Sequence, residues 1–194
     1  MTWANASTDF PKRVRELLNT APEYMGAQLI DGFFEREVDL GTPGRNSQTD
    51  LMVVAGIGRD LAIIAVEGKA EESFAEIVST WNDSAGKQRR LEHLCSTLHI
   101  NPAQAGSLRY QLLHRTASAL YEAERYRSRH ALMLVHSFST THRWFDDFAA
   151  FSRVLQMPLD QPNQCSVARM FDGISLRLAW VSDMPQSELS VSEH

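Results

Sequence analysis

The feature that most constrains this chain is the run Leu61-Ala-Ile-Ile-Ala-Val66, which ends in Glu67-Gly68-Lys69. An unbroken apolar run of this length reads as a buried strand. The run Asp50-Leu-Met-Val-Val-Ala55 reads as a second strand, and Gly56-Ile-Gly-Arg-Asp60 as the turn between the two. Side chains two apart on a strand face the same way, so Glu67 and Lys69 project together. A hairpin folded about Gly58 brings Asp50 close to Glu67 across the ladder. Two carboxylates and one ammonium then converge at one end of a sheet. Such a set binds a hard divalent cation and activates a water. The plainer alternative is a surface ion pair at a strand end.

The rest of the chain supplies layers around this hairpin. Pro11 to Thr20 reads as a short amphipathic helix, with Pro11 suited to a first turn. Residues 21–34 fit no single pattern, and Glu35 to Leu40 alternates as a strand does. Gly41-Thr-Pro-Gly-Arg-Asn-Ser47 is a loop. Phe74, Ile77, Val78 and Trp81 fall at helical spacing, which predicts a helix over 71–81. Residues 87–98 form a second helix, with Lys87, Arg89 and Arg90 near its start. A long helix over 108–125 contains few breakers. Ala131 to Phe138 reads as a buried strand, 144–155 as a helix, 167–170 as a short strand, and 173–182 as a strand exposed on one side. Trp144, Phe145, Phe148 and Phe151 look like helix core, with Trp180 in the same role on the last strand. A hairpin, helices and then further strands give an α/β protein, a three-layer core with a mixed central sheet flanked by helices. One domain covers residues 10–183, and 184–194 is a Ser/Glu-rich flexible tail.

Bulk properties exclude several classes. The chain has 194 residues, 43% of them apolar, enough for one sizeable core. No stretch approaches the roughly 20 apolar residues of a membrane span. The N-terminus lacks the basic and apolar regions of a signal peptide. Cys95 and Cys165 lie far apart without metal-ligand spacing, so a reduced, cytoplasmic protein is expected. The net charge of −5 argues against a broad coat on nucleic acid. Positive charge clusters locally, at 87–90 and between Arg109 and His130.

Asp50 followed by Glu67-x-Lys69 at the end of the next strand resembles the PD-(D/E)xK nuclease superfamily, whose fold is restriction-endonuclease-like. Glu16 stands where that superfamily often has a helical acid. Gln111 stands on a later helix where it often has Gln, Lys or Arg. The residue before Asp50 is Thr49 rather than Pro, a departure from the superfamily motif. The chain over roughly 10–182 is also similar to an uncharacterised bacterial family with this core. The strings that carry this likeness are Ser-Gln-Thr-Asp (47–50), Val-Glu-Gly-Lys (66–69), Arg-Tyr-Gln-Leu-Leu-His-Arg-Thr-Ala-Ser-Ala-Leu (109–120) and Val-His-Ser-Phe-Ser (135–139).

The resemblance implies a three-layer restriction-endonuclease-like fold and phosphodiester hydrolysis dependent on Mg²⁺ or Mn²⁺. DNA is the implied substrate, with RNA the other polynucleotide it allows, and many nucleases of this fold work as homodimers. Asp50, Glu67 and Glu16 are the implied metal ligands. Lys69 holds or deprotonates the attacking water, and Gln111 positions it. Gln111 and Arg115 are four apart and share a helix face. Arg115, with Arg109 and His114, is the candidate grip on substrate phosphate. The rival reading is an inactive module that keeps the nuclease fold and binds a protein or nucleic-acid partner.

Other patterns fall short. Gly56-x-Gly58 lacks the remainder of a dinucleotide fingerprint. His93, Cys95 and His99 lack a partner set for zinc. His136, Ser137, Ser139 and His142 come without a Gly-x-Ser-x-Gly elbow.

Overall fold

A computed structural model of the chain describes Trp3 and residues 9–183. The expected tail at 184–194 lies outside the described residues. In order, the elements are α1 (Lys12–Leu18), β1 (Gln28–Val38), β2 (Ser47–Ile57), β3 (Asp60–Lys69), α2 (Val78–Trp81), α3 (Ala85–Thr97), α4 (Tyr110–Arg125), β4 (His130–Ser137), α5 (Phe145–Val154), β5 (Gln164–Cys165), β6 (Arg169–Phe171) and β7 (Ile174–Ser182).

Among the described residues the strands form one seven-stranded mixed sheet, ordered β1-β2-β3-β4-β7-β5, with β6 also pairing β7. β2 and β3 form the expected hairpin, in a register that sets Leu51 opposite Val66 and Ile57 opposite Asp60. Gly58 takes φ +62 at the first position of the two-residue loop, where a side chain would be strained. β3 then pairs parallel with β4, and β4 parallel with β7. Parallel neighbours need a long crossover, which residues 70–129 provide with α4 at its centre.

Alternation along the strands builds two cores. Met52, Val54, Ile63, Ala65, Met133 and Val135 face α3, α4 and α5. Leu51, Val53, Ile64, Val66, Leu132 and Leu134 face α1. The result is the expected α/β core of helix, sheet and helix layers. The aromatic centre of the larger core is Trp180, fully buried against Phe74, Phe145 and Phe148, with ring centroids 5.3–6.2 Å away.

Two segments differ from the sequence expectation. β1 begins at Gln28, not Glu35. It is an edge strand, mostly exposed, and its register slips between Leu29 and Asp31, so its apolar residues do not alternate. Residues 71–77 are not helical. Ala75 takes φ +57, Ile77 makes an isolated antiparallel bridge with Arg109, and only Val78–Trp81 forms a helical turn. The spacing of Phe74 and Val78 reflects burial reached from an irregular loop rather than one face of a helix. Trp144 also departs: it precedes α5 with φ +70, partly buried, while Phe145, Phe148 and Phe151 enter the core as expected.

Candidate functional site

β3 carries its charges into the protein rather than out of it. Glu67 is 2% exposed and Lys69 4%, one residue beyond an entirely apolar run. Both side chains face α4. Lys69 Nζ lies 3.0 Å from Glu67 Oε1, 4.0 Å from Glu72 Oε1, and over the Phe74 ring at 5.1 Å. Gln111 Nε2 donates to Glu67 Oε1 at 2.5 Å, and Arg115 Nε donates to Glu67 Oε2 at 2.6 Å. The four-residue spacing on α4 thus brings both side chains onto one carboxylate, a buried cluster in which each charge has a partner.

Burial pushes the Glu67 carboxyl above its usual range; Arg115 opposes this, Asp50 adds to it, and Lys69 opposes it, with the balance still upward. Asp50 is therefore within electrostatic reach of Glu67. Its carboxylate makes a different contact from the one the hairpin suggests: Oδ2 accepts the Gly68 backbone N–H at 2.8 Å. The cause lies in the neighbouring strand. Glu35, between the paired residues Phe34 and Arg36, takes φ +51. Face alternation changes phase there. Ser47 contacts α4, although Leu51, four residues on, faces α1. Phe33 and Arg36 share one face, with the Arg36 guanidinium 5.8 Å from the Phe33 ring. Asp50 sits at this phase change and caps β3.

Beyond Glu67 the network continues through Arg115, which is 8% exposed and donates through Nη1 to Ser47 Oγ at 3.2 Å. Ser47 Oγ is also 2.8 Å from His114 Nδ1. Ser47 Oγ also lies 3.5 Å from the His114 carbonyl, a second acceptor for its proton. Burial first, then the charges of Arg115 and Arg90, hold the His114 pKa well below its usual value. The ring is neutral at pH 7.

The remaining candidates lie elsewhere. Glu16 is exposed on α1, 3.8 Å from Arg13, and borders a separate depression with Thr20, Asn163 and Val181. It does not join Asp50 and Glu67. Arg109 clamps α5: Nε donates to Asp147 Oδ2 at 2.8 Å, Nη1 to the Ala75 carbonyl at 3.0 Å, and its guanidinium lies 5.2 Å from the Trp144 ring. These contacts make Arg109 a tertiary strut. Glu71 pairs with Arg143 at 2.9 Å.

Sequence reasoning missed Tyr110 and Arg90 as members of this region. Arg90 Nε donates to Tyr110 Oη at 2.7 Å, and the Tyr110 ring stacks on Trp81 at 3.6 Å. The basic cluster at 87–90 was the available signal, but nothing in it distinguishes buried Arg90 from exposed Arg89.

The opposite face of the same sheet end carries a cavity of about 360 Å³, lined by Trp3, Phe34, Val66 and Phe138 and also by Asp50 and Lys69. No group of three or more His, Cys, Asp or Glu side chains suited to a metal occurs among the described residues. No helix among them is long and apolar enough to cross a membrane.

These features define a three-layer α/β protein with a buried Glu–Lys–Gln–Arg cluster at the end of β3. The chain belongs to the family described as domain of unknown function DUF6946, whose family model matches residues 1–185. No curated protein and no solved structure matches it.

Proposed function

We propose that this protein is a divalent-metal-dependent phosphodiesterase that cuts DNA. The observation that carries the reading is the convergence on Glu67: Lys69 from the same strand, Gln111 and Arg115 from α4, and the charge of Asp50 from β2. The acids present fit Mg²⁺ or Mn²⁺, which take one or two carboxylates and complete their shell with water and phosphate oxygens. Asp50 Oδ1 has no protein partner among the described residues, and Glu67 Oε2 accepts a single hydrogen bond, so each acid retains a lone pair. When bound, the metal would polarise a phosphoryl oxygen and favour ionised water. Gln111 and Arg115 fix the Glu67 carboxylate in one rotamer, and Lys69 orients the attacking water beside Glu67 Oε1. In this reading Gln111 positions the acid rather than the water. A cytoplasmic location accords with two free thiols, Cys95 and Cys165.

The test is cleavage of plasmid and linear DNA with Mg²⁺ or Mn²⁺, together with melting temperature with and without Mn²⁺. Wild type should cleave and should gain stability with Mn²⁺ by mass action. Asp50→Ala and Lys69→Ala should abolish cleavage, and Asp50→Ala should also lose the Mn²⁺ effect. Cleavage that survives both substitutions overturns the reading. One observation favours the inactive module instead: Glu67 Oε1 already accepts from both Gln111 and Lys69, a saturated arrangement that serves structure alone. Absence of both cleavage and a Mn²⁺ effect in the wild type decides for that module.

A further inference from the structure

On the α4 face, next to the Glu67 cluster, hydrogen-bond donors outnumber acceptors. Arg90 on α3 is 8% exposed, yet no carboxylate pairs with it among the described residues. Its Nε is held by Tyr110 Oη at 2.7 Å and its Nη1 by Thr42 Oγ1 at 3.1 Å, both neutral partners. A guanidinium taken this far out of water is costly unless an anion compensates it. Its Nη2 donates to no protein atom among the described residues.

Tyr110 has the same surplus: it accepts from Arg90, and its own hydroxyl proton meets no protein acceptor among the described residues. The His114 ring centroid lies 4.7 Å from that of Tyr110, and its Nδ1 is engaged with Ser47 Oγ. Gly44, with φ +117, passes Arg90 without a side chain; a Cβ there would stand 3.6 Å from Nη1. Tyr110 is fixed by its stack on Trp81, so the donors are held in place before any ligand arrives.

We propose that Arg90 and Tyr110 form a binding site for a phosphate group of a polynucleotide strand. Donors arriving from α3 and α4 suit an anion with several acceptor oxygens, and the planar guanidinium binds phosphate well. The choice of a polynucleotide rests on the phosphodiesterase reading; the anion site itself rests on the donor surplus. With the cut made beside Glu67, this site would hold a neighbouring phosphate of the same strand.

The experiment is done in EDTA, so that no metal or cleavage contributes. Inorganic phosphate is titrated against melting temperature, and a labelled single-stranded oligonucleotide against fluorescence anisotropy. Wild type should melt higher with phosphate and bind the oligonucleotide. Arg90→Gln should weaken both by about tenfold or more, the loss expected for a charge-assisted hydrogen bond. Tyr110→Phe keeps the ring stack and removes one donor, so it should weaken both by less. If Arg90→Gln does not fold, Tyr110→Phe alone decides. Wild-type affinity in the folded variants, or no binding of either probe by the wild type, overturns the site. Phosphate binding without oligonucleotide binding supports the anion site and overturns its assignment to a polynucleotide. Loss of DNA cleavage in Asp50→Ala with the phosphate effect retained separates this site from the proposed cleavage centre. A wild type that binds phosphate through Arg90 but never cleaves supports the site while the phosphodiesterase reading fails.

Discussion

At the end of β3, adjacent residues meet opposite chemistry on the two faces of the sheet. Toward α4 stand Glu67 and Lys69, buried among Gln111, Arg115, Ser47 and His114, with Arg90 and Tyr110 beyond them. Toward α1 stands Val66, at the wall of a cavity shared with Trp3, Phe34 and Phe138. Burial is nearly the same, 2% for both Val66 and Glu67. What differs is the partner. The α4 face has fixed donors for the Glu67 carboxylate, while on the α1 face Val66 meets apolar side chains and space. Burial alone therefore says little about a residue's role here; the pairing on each face decides it.

The comparison is broken most severely by removing the acid. Glu67→Ala leaves Arg115 and Lys69 charged and buried without their anion, and should cost about 3–5 kcal/mol of unfolding free energy in urea titrations. On the other face, Leu51→Ala removes apolar contacts beside an existing cavity. Its expected cost is about 2–3 kcal/mol, toward the low end for such truncations. Equal costs for the two changes would mean that the charge cluster behaves as ordinary core. Gly58→Ala touches neither face and strains a φ of +62, so about 1–2 kcal/mol is expected from the same titration.

The smallest effect is a pH dependence to which His114 on the α4 face contributes. The folded-state pKa of His114 lies well below its usual 6.5. The neutral ring therefore contributes stability that is complete above that value and is lost as pH falls through the window below it. His136 is shifted the same way by burial, opposed by Asp183. Stability of the wild type should fall as pH drops below about 6.5, the unfolded value from which both rings are lowered. His114→Gln should lose less over that interval. An identical slope would show that the donors around Ser47 do not hold the ring neutral.

The sequence made one half of this site readable and hid the other. The β2–β3 hairpin, its turn at Gly58, and the pairing of Gln111 with Arg115 all follow from short-range periodicity. The structure places β4 at 130–137 and β7 at 174–182, within a residue of the expected spans, because β4 is a compact apolar run and β7 alternates. The contact of Asp50 with Gly68 was not readable, since it depends on a phase change at Glu35 on a strand whose start was itself ambiguous. Residues 71–77 misled for a related reason: helical spacing of Phe74, Ile77 and Val78 arose without helical backbone. Arg90 was visible only as one of several basic residues, and its isolation from acids is a property of the tertiary arrangement. The implied roles of Glu16 and Arg109 came from motif position alone. Arg109 instead braces Asp147 and Ala75, and Glu16 stays at the surface of α1.

The sheet's mixed connectivity also sets an order of events during folding. β2 and β3 need only a two-residue loop to meet, a closure of low entropic cost that takes microseconds in isolated hairpins. The partnership of β3 with β4 closes over residues 70–129, and that of β4 with β7 over residues 138–173. Long-range parallel pairing is the slow step in such topologies. Glu67 and Lys69 therefore spend the early part of folding on a preformed hairpin, still in water. They lose that water only when α4 arrives carrying Gln111 and Arg115, so the desolvation of the acid and the arrival of its partners occur in a single late event.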